Sequence, residues 1–115
     1  MIDRELAAGL QARASGNEGR ARVCARRAAG IAVRFWLQQH PRPGWGADVM
    51  ARLNAVAQDE TLPETVRAAA GRLTTRVTEK FALPFQEDPL VDGRAIVGYF
   101  LREDTAPDGR TLPRT

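Results

Sequence analysis

The chain has 115 residues, which is enough for one domain with a single hydrophobic core and too few for two ordinary domains. Hydrophobic residues make up 43% and charged residues 27%, a globular composition that excludes general disorder. The net charge is +3, and all but one of the 17 basic residues are arginine. The total charge is therefore modest, and its distribution along the chain carries more information.

The chain has a single cysteine, Cys24, and a single histidine, His40. One cysteine cannot form an internal disulfide, and the pair cannot supply the three or four protein ligands of a zinc site. We therefore expect no metal and no other cofactor. No basic leader precedes an apolar run, and the apolar runs end well short of the ~20 residues of a membrane span. The expected location is cytoplasmic, with no membrane contact.

Positive charge is concentrated between Gly19 and Ala47, where six arginines occur without any aspartate or glutamate. The rest of the chain is net acidic. The arginines of this window are Arg20, Arg22, Arg26, Arg27, Arg34 and Arg42. Because the window is also rich in apolar residues, we expect it to form the spine of the fold and a contact surface for an anionic partner.

The first two helices are indicated by apolar spacing and by residues that suit helix ends. Apolar residues four apart from Ile2 onward predict a helix that ends near Ser15. Asn17 suits the N-cap of a second helix. That helix should run to about Gln39, because Pro41 disfavours helical backbone at the residue before it.

The second helix is predicted to be apolar on almost every side. One broad arc holds Cys24, Ala25, Ala28, Ile31, Ala32, Phe35 and Trp36, and the back face holds Val23, Val33 and Leu37. Arg20, Arg27 and Arg34 repeat every seven residues beside the arc, and Arg22 and Arg26 border its other edge. Such a helix needs cover, so we expect it to be central in a bundle or shared between the subunits of a homodimer.

Two more helices follow. Asp48 is expected to cap a third helix that ends near Gln58, and Thr61 with Glu64 has the spacing of a capping box for a fourth helix that runs to Lys80. The predicted inward residues are Val49, Leu53, Val56 and Ala57 in the third helix and Val66, Ala70, Leu73 and Val77 in the fourth.

A last short helix should begin after a cap at Asp88 or Asp92 and run from about Pro89 to Leu101, with Ile96, Val97, Phe100 and Leu101 inward. Residues 103–115 are poor in apolar side chains and are expected to be a flexible tail. The fold prediction is an all-α antiparallel bundle of four main helices plus a short fifth, with residues 1–102 as its single domain.

The second helix has paired small residues at Ala28-Ala29 and ends in the bulky pair Trp36-Leu37. The long fourth helix leads into an aromatic, proline-containing linker at Phe81–Phe85 and then into the final helix. This succession, over roughly residues 1–102, resembles the HEPN domain family of small helical bundles. The resemblance implies an all-helical bundle that forms a homodimer.

Many HEPN domains are metal-independent ribonucleases that use an arginine followed a few residues later by a histidine, with two such motifs meeting across a homodimer. Arg34 and His40 have a compatible spacing, but they end the second helix, whereas the family motif lies near the last two helices. At that later position the segment Arg76–Phe81 has an arginine and no histidine. The resemblance therefore does not transfer catalytic residues to this chain.

His40 has a second interpretation, as the C-cap of the second helix. Trp45 either packs as an anchor or stacks on an unpaired base. The predicted anion-binding set is Arg20, Arg22, Arg26, Arg27 and Arg34. The competing interpretation is a solvated face whose arginines pair with carboxylates of other helices, including Glu64, Glu79 and Asp92.

Three functions follow from these observations. The first is a noncatalytic, HEPN-like module that binds RNA, a nucleotide or a partner protein through the second helix. The second is an atypical metal-independent ribonuclease that uses Arg34 and His40. The third is the structural half of a two-protein pair of the toxin and antitoxin kind, in which the partner is encoded nearby.

Overall fold

The computed structural model describes residues 1–75 and 86–105, the last four of these by backbone alone. Five helices make up the described fold: α1 Ile2–Ala14, α2 Glu18–Gln39, α3 Val49–Gln58, α4 Glu64–Thr74 and α5 Pro89–Thr105. No strand occurs within these residues, which confirms the all-α prediction.

Two predicted helix caps are confirmed. The side chain of Asn17 accepts a hydrogen bond from the Arg20 amide at 3.0 Å, which starts α2. The side chain of Asp48 accepts one from the Ala51 amide at 2.8 Å, which starts α3. Both caps satisfy an amide that the first helical turn leaves without a partner.

The start of α4 differs from its prediction. Thr61 donates its hydroxyl to Asp59 at 2.6 Å, so it does not cap the helix, and Pro63 holds the N-cap position without a side-chain bond. The capping box of Thr61 and Glu64 was therefore wrong. The aspartate two residues earlier competes for the threonine, because short polar side chains close local turns easily.

The end of α4 also differs, because the helix stops at Thr74 rather than Lys80. Thr75 leaves helical geometry with a ψ of 137°. The guanidinium of Arg22 reaches this end from α2 and donates to the carbonyls of Arg72 and Thr75 at 2.5 and 2.7 Å. A distant side chain thus satisfies carbonyls of the last turn, which a longer helix would satisfy internally.

Several sequence predictions fall outside the described residues. These are the remainder of the predicted fourth helix, including Val77, the linker Phe81–Phe85 and the tail beyond Thr105.

α5 is longer than predicted. It has 17 residues and is second in length to α2, and it begins after Asp88, whose side chain accepts the Leu90 amide at 2.9 Å. Ile96 and Phe100 are completely buried, as predicted. The predicted inward residues Val97 and Leu101 pack against the core and are half-buried.

α5 packs along α2 in the same direction, so this pair of helices departs from the predicted antiparallel arrangement. Gly93 lies against Ala25 near the start of both helices, and the ring of Phe100 contacts that of Trp36 at 5.1 Å toward their ends. This contact with the core explains why the helix persists through two glycines, since packing outweighs local propensity.

α2 is the centre of the fold and contacts the four other helices. Five of its alanines are completely buried: Ala21, Ala25, Ala28, Ala29 and Ala32. Small side chains let neighbouring backbones approach. A Cβ on Gly30 would lie 2.7 Å from a methyl group of Val49 in α3, and one on Gly9 would lie 2.7 Å from Leu90 in α5. The predicted central position of α2 is confirmed, as is the burial of Cys24.

One residue of the predicted core arc, Phe35, is instead at the surface with 37% of its area exposed. α1 turns back along α2 after Ser15–Asn17, and Gly9 packs on Cys24. Because α1 has 13 residues against 22 in α2, it covers only the first part of that helix. Phe35 lies beyond the covered part.

Candidate anion-binding face

The exposed face of α2 presents Arg20, Arg27 and Arg34, which we call the arginine row. Residues seven apart lie two turns apart on almost the same side of a helix, so neighbouring members are spaced by about 10.5 Å and the row is about 21 Å long. The half-buried Val23 and Ile31 lie between the arginines. The row is therefore a charged stripe in which apolar side chains separate the arginines.

Helices border the arginine row on both sides. Cys24, one turn along α2 from Arg20, packs under Gly9 of α1. Gly30 packs under Val49 of α3. These contacts leave only a narrow strip of α2 open to solvent.

The arginine row has no ion pair within the described residues. The carboxylates expected to pair with it are used elsewhere: Glu64 pairs with Arg67 at 3.6 Å, and Asp92 pairs with Arg72 at 2.9 Å. Glu79 lies outside the described residues. For Glu64 and Asp92 the structure thus contradicts a paired, solvated face.

Glu18 is nearest to the row in sequence but is also engaged. It pairs with Arg13 at 3.0 Å, and Arg13 also forms two parallel bonds of 2.7 Å with Asp88. These bonds raise the pKa of Arg13, and the bond from Arg13 holds the pKa of Asp88 below its usual range. This network joins the ends of three helices, and both of its carboxylates pair with Arg13.

Arg22 is not part of the exposed face, which corrects its assignment to the anion-binding set. It is 5% exposed and donates to the last turn of α4. Burial, followed by the nearby charge of Arg26, lowers the pKa of Arg22. Its acceptors are 50 and 53 residues away in the chain, so the sequence near it gave no signal of this role.

Arg26 lies at the edge of the face. It is half-buried, and its Nη1 donates to the sulfur of Met50 in α3 at 3.7 Å. This contact directs it toward α3. Arg26 can add to the positive potential of the face, while the three arginines of the row provide its open guanidinium groups.

Trp45 is half-buried and packs against the core. Its ring stacks on that of Trp36 at 5.8 Å between centroids. These contacts favour the interpretation of Trp45 as an anchor for the segment that follows α2.

Phe35 is the aromatic side chain that the sequence interpretation missed, since its position in the apolar arc assigned it to the core. The guanidinium carbon of Arg34 lies 5.7 Å from the centroid of its ring. Within the described residues it is the only aromatic among the exposed large hydrophobic side chains. Phe35 therefore lies at the Arg34 end of the arginine row.

His40 and Arg34 have different neighbours. His40 is the C-cap of α2, and both its amide and its ring Nδ1 lie within hydrogen-bond distance of the Trp36 carbonyl, at 2.9 and 3.1 Å. Its ring stacks on Trp36 with the planes 10° apart. The C-cap interpretation is thus supported, and no contact in the described part of the chain joins His40 to Arg34.

A shallow groove of about 360 Å³ lies between α1 and α2 at the Arg20 end of the row. It is lined by Ala8, Gln11, Ala12, Ser15, Asn17 and Arg20. Two of these lining residues are alanines, and the other four are polar or charged.

Among the residues that the structure describes, no cluster of three histidine, cysteine or acidic side chains could hold a metal ion. In the same part of the chain, no helix combines the length and apolar character needed to cross a membrane. Comparison with protein-family models, curated proteins and solved structures gives no match for this chain.

Proposed function

We propose that the protein is a noncatalytic RNA-binding module whose contact surface is the arginine row. The observation that carries this proposal is the set of three exposed arginines in register on α2 without ion pairs in the described residues. The carboxylates of Glu18, Glu64 and Asp92 pair with other arginines. Unpaired guanidinium groups are free to bind phosphates.

The chemistry of arginine suits this role. Its planar guanidinium offers five donors and binds phosphate oxygens in a two-pronged manner. Three such contacts along a row of about 21 Å follow a phosphate backbone rather than a single small anion. We therefore favour a nucleic acid strand over a mononucleotide.

A salt titration tests the proposal. Each phosphate contact to a single strand contributes about −0.7 to the slope of log K against log salt, so the three arginines together contribute about −2. The variant Arg20→Gln/Arg27→Gln/Arg34→Gln should lose that part of the slope and bind a labelled oligoribonucleotide much more weakly. Fluorescence anisotropy at several salt concentrations measures both, and circular dichroism checks that the helices persist.

A matched control separates location from net charge. Arg94 is exposed on α5, so Arg94→Gln removes the same charge as Arg27→Gln from a different helix. We expect Arg27→Gln to weaken binding clearly and Arg94→Gln to change it little. Equal effects of the two variants would mean that binding depends on total charge alone.

The ribonuclease hypothesis remains as an alternative through the spacing of Arg34 and His40. Incubation of an RNA pool with wild-type protein and with His40→Ala, both in the presence of a chelator, tests it. Cleavage that the His40→Ala variant loses would replace the noncatalytic proposal. RNA binding without cleavage supports it.

The HEPN-like bundle arrangement, the homodimer and the cytoplasmic location belong to this proposal as expectations. The helical hairpin and the order of elements support the family likeness. The dimer has less support than the sequence offered, because Val33 of the back face is completely buried within one chain and Val23 and Leu37 are half-buried. If the protein binds no RNA and instead forms a stable complex with a neighbouring gene's product, the two-protein hypothesis replaces RNA binding.

A further inference from the structure

We infer that the arginine row binds single-stranded rather than double-stranded nucleic acid, with Phe35 as a stacking platform for an unpaired base beside Arg34. This inference rests on the proposed function and specifies the class of ligand. Three features of the described structure support it: the helices beside α2, the exposed aromatic ring, and the groove at the opposite end of the row.

The first feature is that α2 cannot enter a duplex groove. The major groove of B-form DNA is about 12 Å wide and admits one helix, whose diameter with side chains is about 10–12 Å. On one side of α2, Gly9 of α1 packs against the helix. On the other side, α3 lies so close that a Cβ on Gly30 would be 2.7 Å from Val49. With helix axes about 8–10 Å apart, this surface is far wider than the groove.

Duplex RNA also fits this surface poorly, because of the shape of its two grooves. Its major groove is too narrow for side chains to read, and its shallow minor groove is recognised by shape and by ribose hydroxyls across a wide contact. The arginine row is a single narrow stripe with apolar steps at Val23 and Ile31. A stripe of this kind follows one backbone.

The second feature is the ring of Phe35. It is 37% exposed, and the Arg34 guanidinium lies 5.7 Å from its centroid. A base can stack on such a ring only if it is unpaired and turned away from a partner strand. The Arg34 guanidinium lies over one face of the ring, so a base that stacks on that face takes its place. The displaced guanidinium can then bind the phosphate of the same nucleotide, so stacking and charge act together at this end of the row.

The third feature is the groove beside Arg20. Its volume of about 360 Å³ and the alanines in its lining, Ala8 and Ala12, can accept a flat base, and Gln11 in the same lining offers amide donors and acceptors to the base edge. A strand that lies along the row therefore meets an apolar surface for a base at both ends. A duplex, whose bases are paired inside, can use neither.

The test compares a labelled oligouridylate with an RNA duplex of the same length at one salt concentration. Wild-type protein should prefer the single strand. Phe35→Leu keeps an apolar side chain but removes the aromatic face, and it should weaken single-strand binding on the order of tenfold while leaving duplex binding unchanged. Phe35→Trp should keep or improve single-strand binding.

A matched control is Val91→Ala, which changes an exposed apolar side chain on α5 and should leave binding of either ligand unchanged. Equal or tighter binding of the duplex, or an unchanged affinity in Phe35→Leu, overturns the inference and leaves the proposed function standing. If neither RNA binds, or if the triple arginine variant binds both as the wild type does, the proposed function itself fails.

Discussion

At the scale of single residues, Arg22 shows how similar arginines on one helix acquire different roles. It is two residues from Arg20, yet it is buried and holds the last turn of α4. No ion pair to Arg22 is present in the described residues, and burial lowers its pKa. Its guanidinium is stabilised by two backbone carbonyls, which makes it a structural residue.

We predict that Arg22→Met destabilises the fold. Methionine keeps the aliphatic stem but donates no hydrogen bond, so the carbonyls of Arg72 and Thr75 lose the bonds from Arg22. Within the described residues, the Arg72 carbonyl keeps only its bond from the Thr75 amide at 3.3 Å. The free energy of unfolding should fall by about 1–3 kcal/mol, measured by urea denaturation. The matched change Arg27→Met on the exposed row should alter it by less than about 0.5 kcal/mol. Similar losses in both variants would show that the hydrogen bonds of Arg22 do not add to the free energy of unfolding.

At the scale of helices, the close approach of α2 and α5 depends on Gly93. A Cβ there would lie 3.0 Å from the carbonyl oxygen of Ala25 and 3.1 Å from its Cβ, so the helices would have to move apart. Gly98 lies on the same helix, and a Cβ there would meet no atom within 4 Å. The two glycines thus differ in packing while sharing low helix propensity.

The prediction is that the same substitution has opposite signs at these two positions. Gly93→Ala should lower the free energy of unfolding by about 1–3 kcal/mol because of overpacking. Gly98→Ala should raise it by up to about 1 kcal/mol, since alanine favours helix. Thermal unfolding followed by circular dichroism compares them. Stabilisation in both variants would show that α2 and α5 separate without strain.

The helix boundaries show which parts of the fold could be predicted from sequence. The starts of α2 and α3 are set by Asn17 and Asp48, which bond amides three residues away, so local sequence was sufficient. At the end of α4, Arg22 donates to the carbonyl of Arg72, which is 50 residues away in the chain. The apolar period continues to Val77 and carried no sign of that contact.

In the candidate site, too, features set by local sequence could be predicted, and features set by contacts between distant residues could not. The seven-residue repeat correctly placed Arg20, Arg27 and Arg34 together on the surface of α2, because helical geometry alone decides that arrangement. The exposure of Phe35 depends on how far α1 extends along α2. The sequence of α2 alone carries no information about that length. Likewise, the packing of Trp45 depends on its contact with Trp36.

At the scale of the whole molecule, assembly is a separate prediction. The argument for a homodimer was a back face of α2 without cover, and a single chain already buries Val33 there. The remaining half-buried residues, Val23 and Leu37, offer a smaller apolar area. Light scattering over a range of concentrations decides the matter. A constant monomer mass would contradict the dimer.

The network around Arg13 joins the ends of α1, α2 and α5 and makes stability depend on pH. Arg13 binds Asp88 through two bonds of 2.7 Å, and this holds the pKa of Asp88 below its usual value. A carboxyl group whose pKa is lower in the folded state stabilises the fold above its unfolded pKa of about 3.9. That stabilisation is lost as the pH falls through the folded pKa.

We therefore predict that Asp88→Asn lowers the urea midpoint at neutral pH and loses less stability than the wild type as the pH falls below about 4. Arg13→Gln should flatten the profile in the same way, because it removes the same pair of bonds. The double variant should lose less than the sum of the two single variants, since each change alone breaks the shared interaction. Additive losses, or a profile as steep as that of the wild type in Asp88→Asn, would show that this pair does not hold the ends of α1 and α5 together.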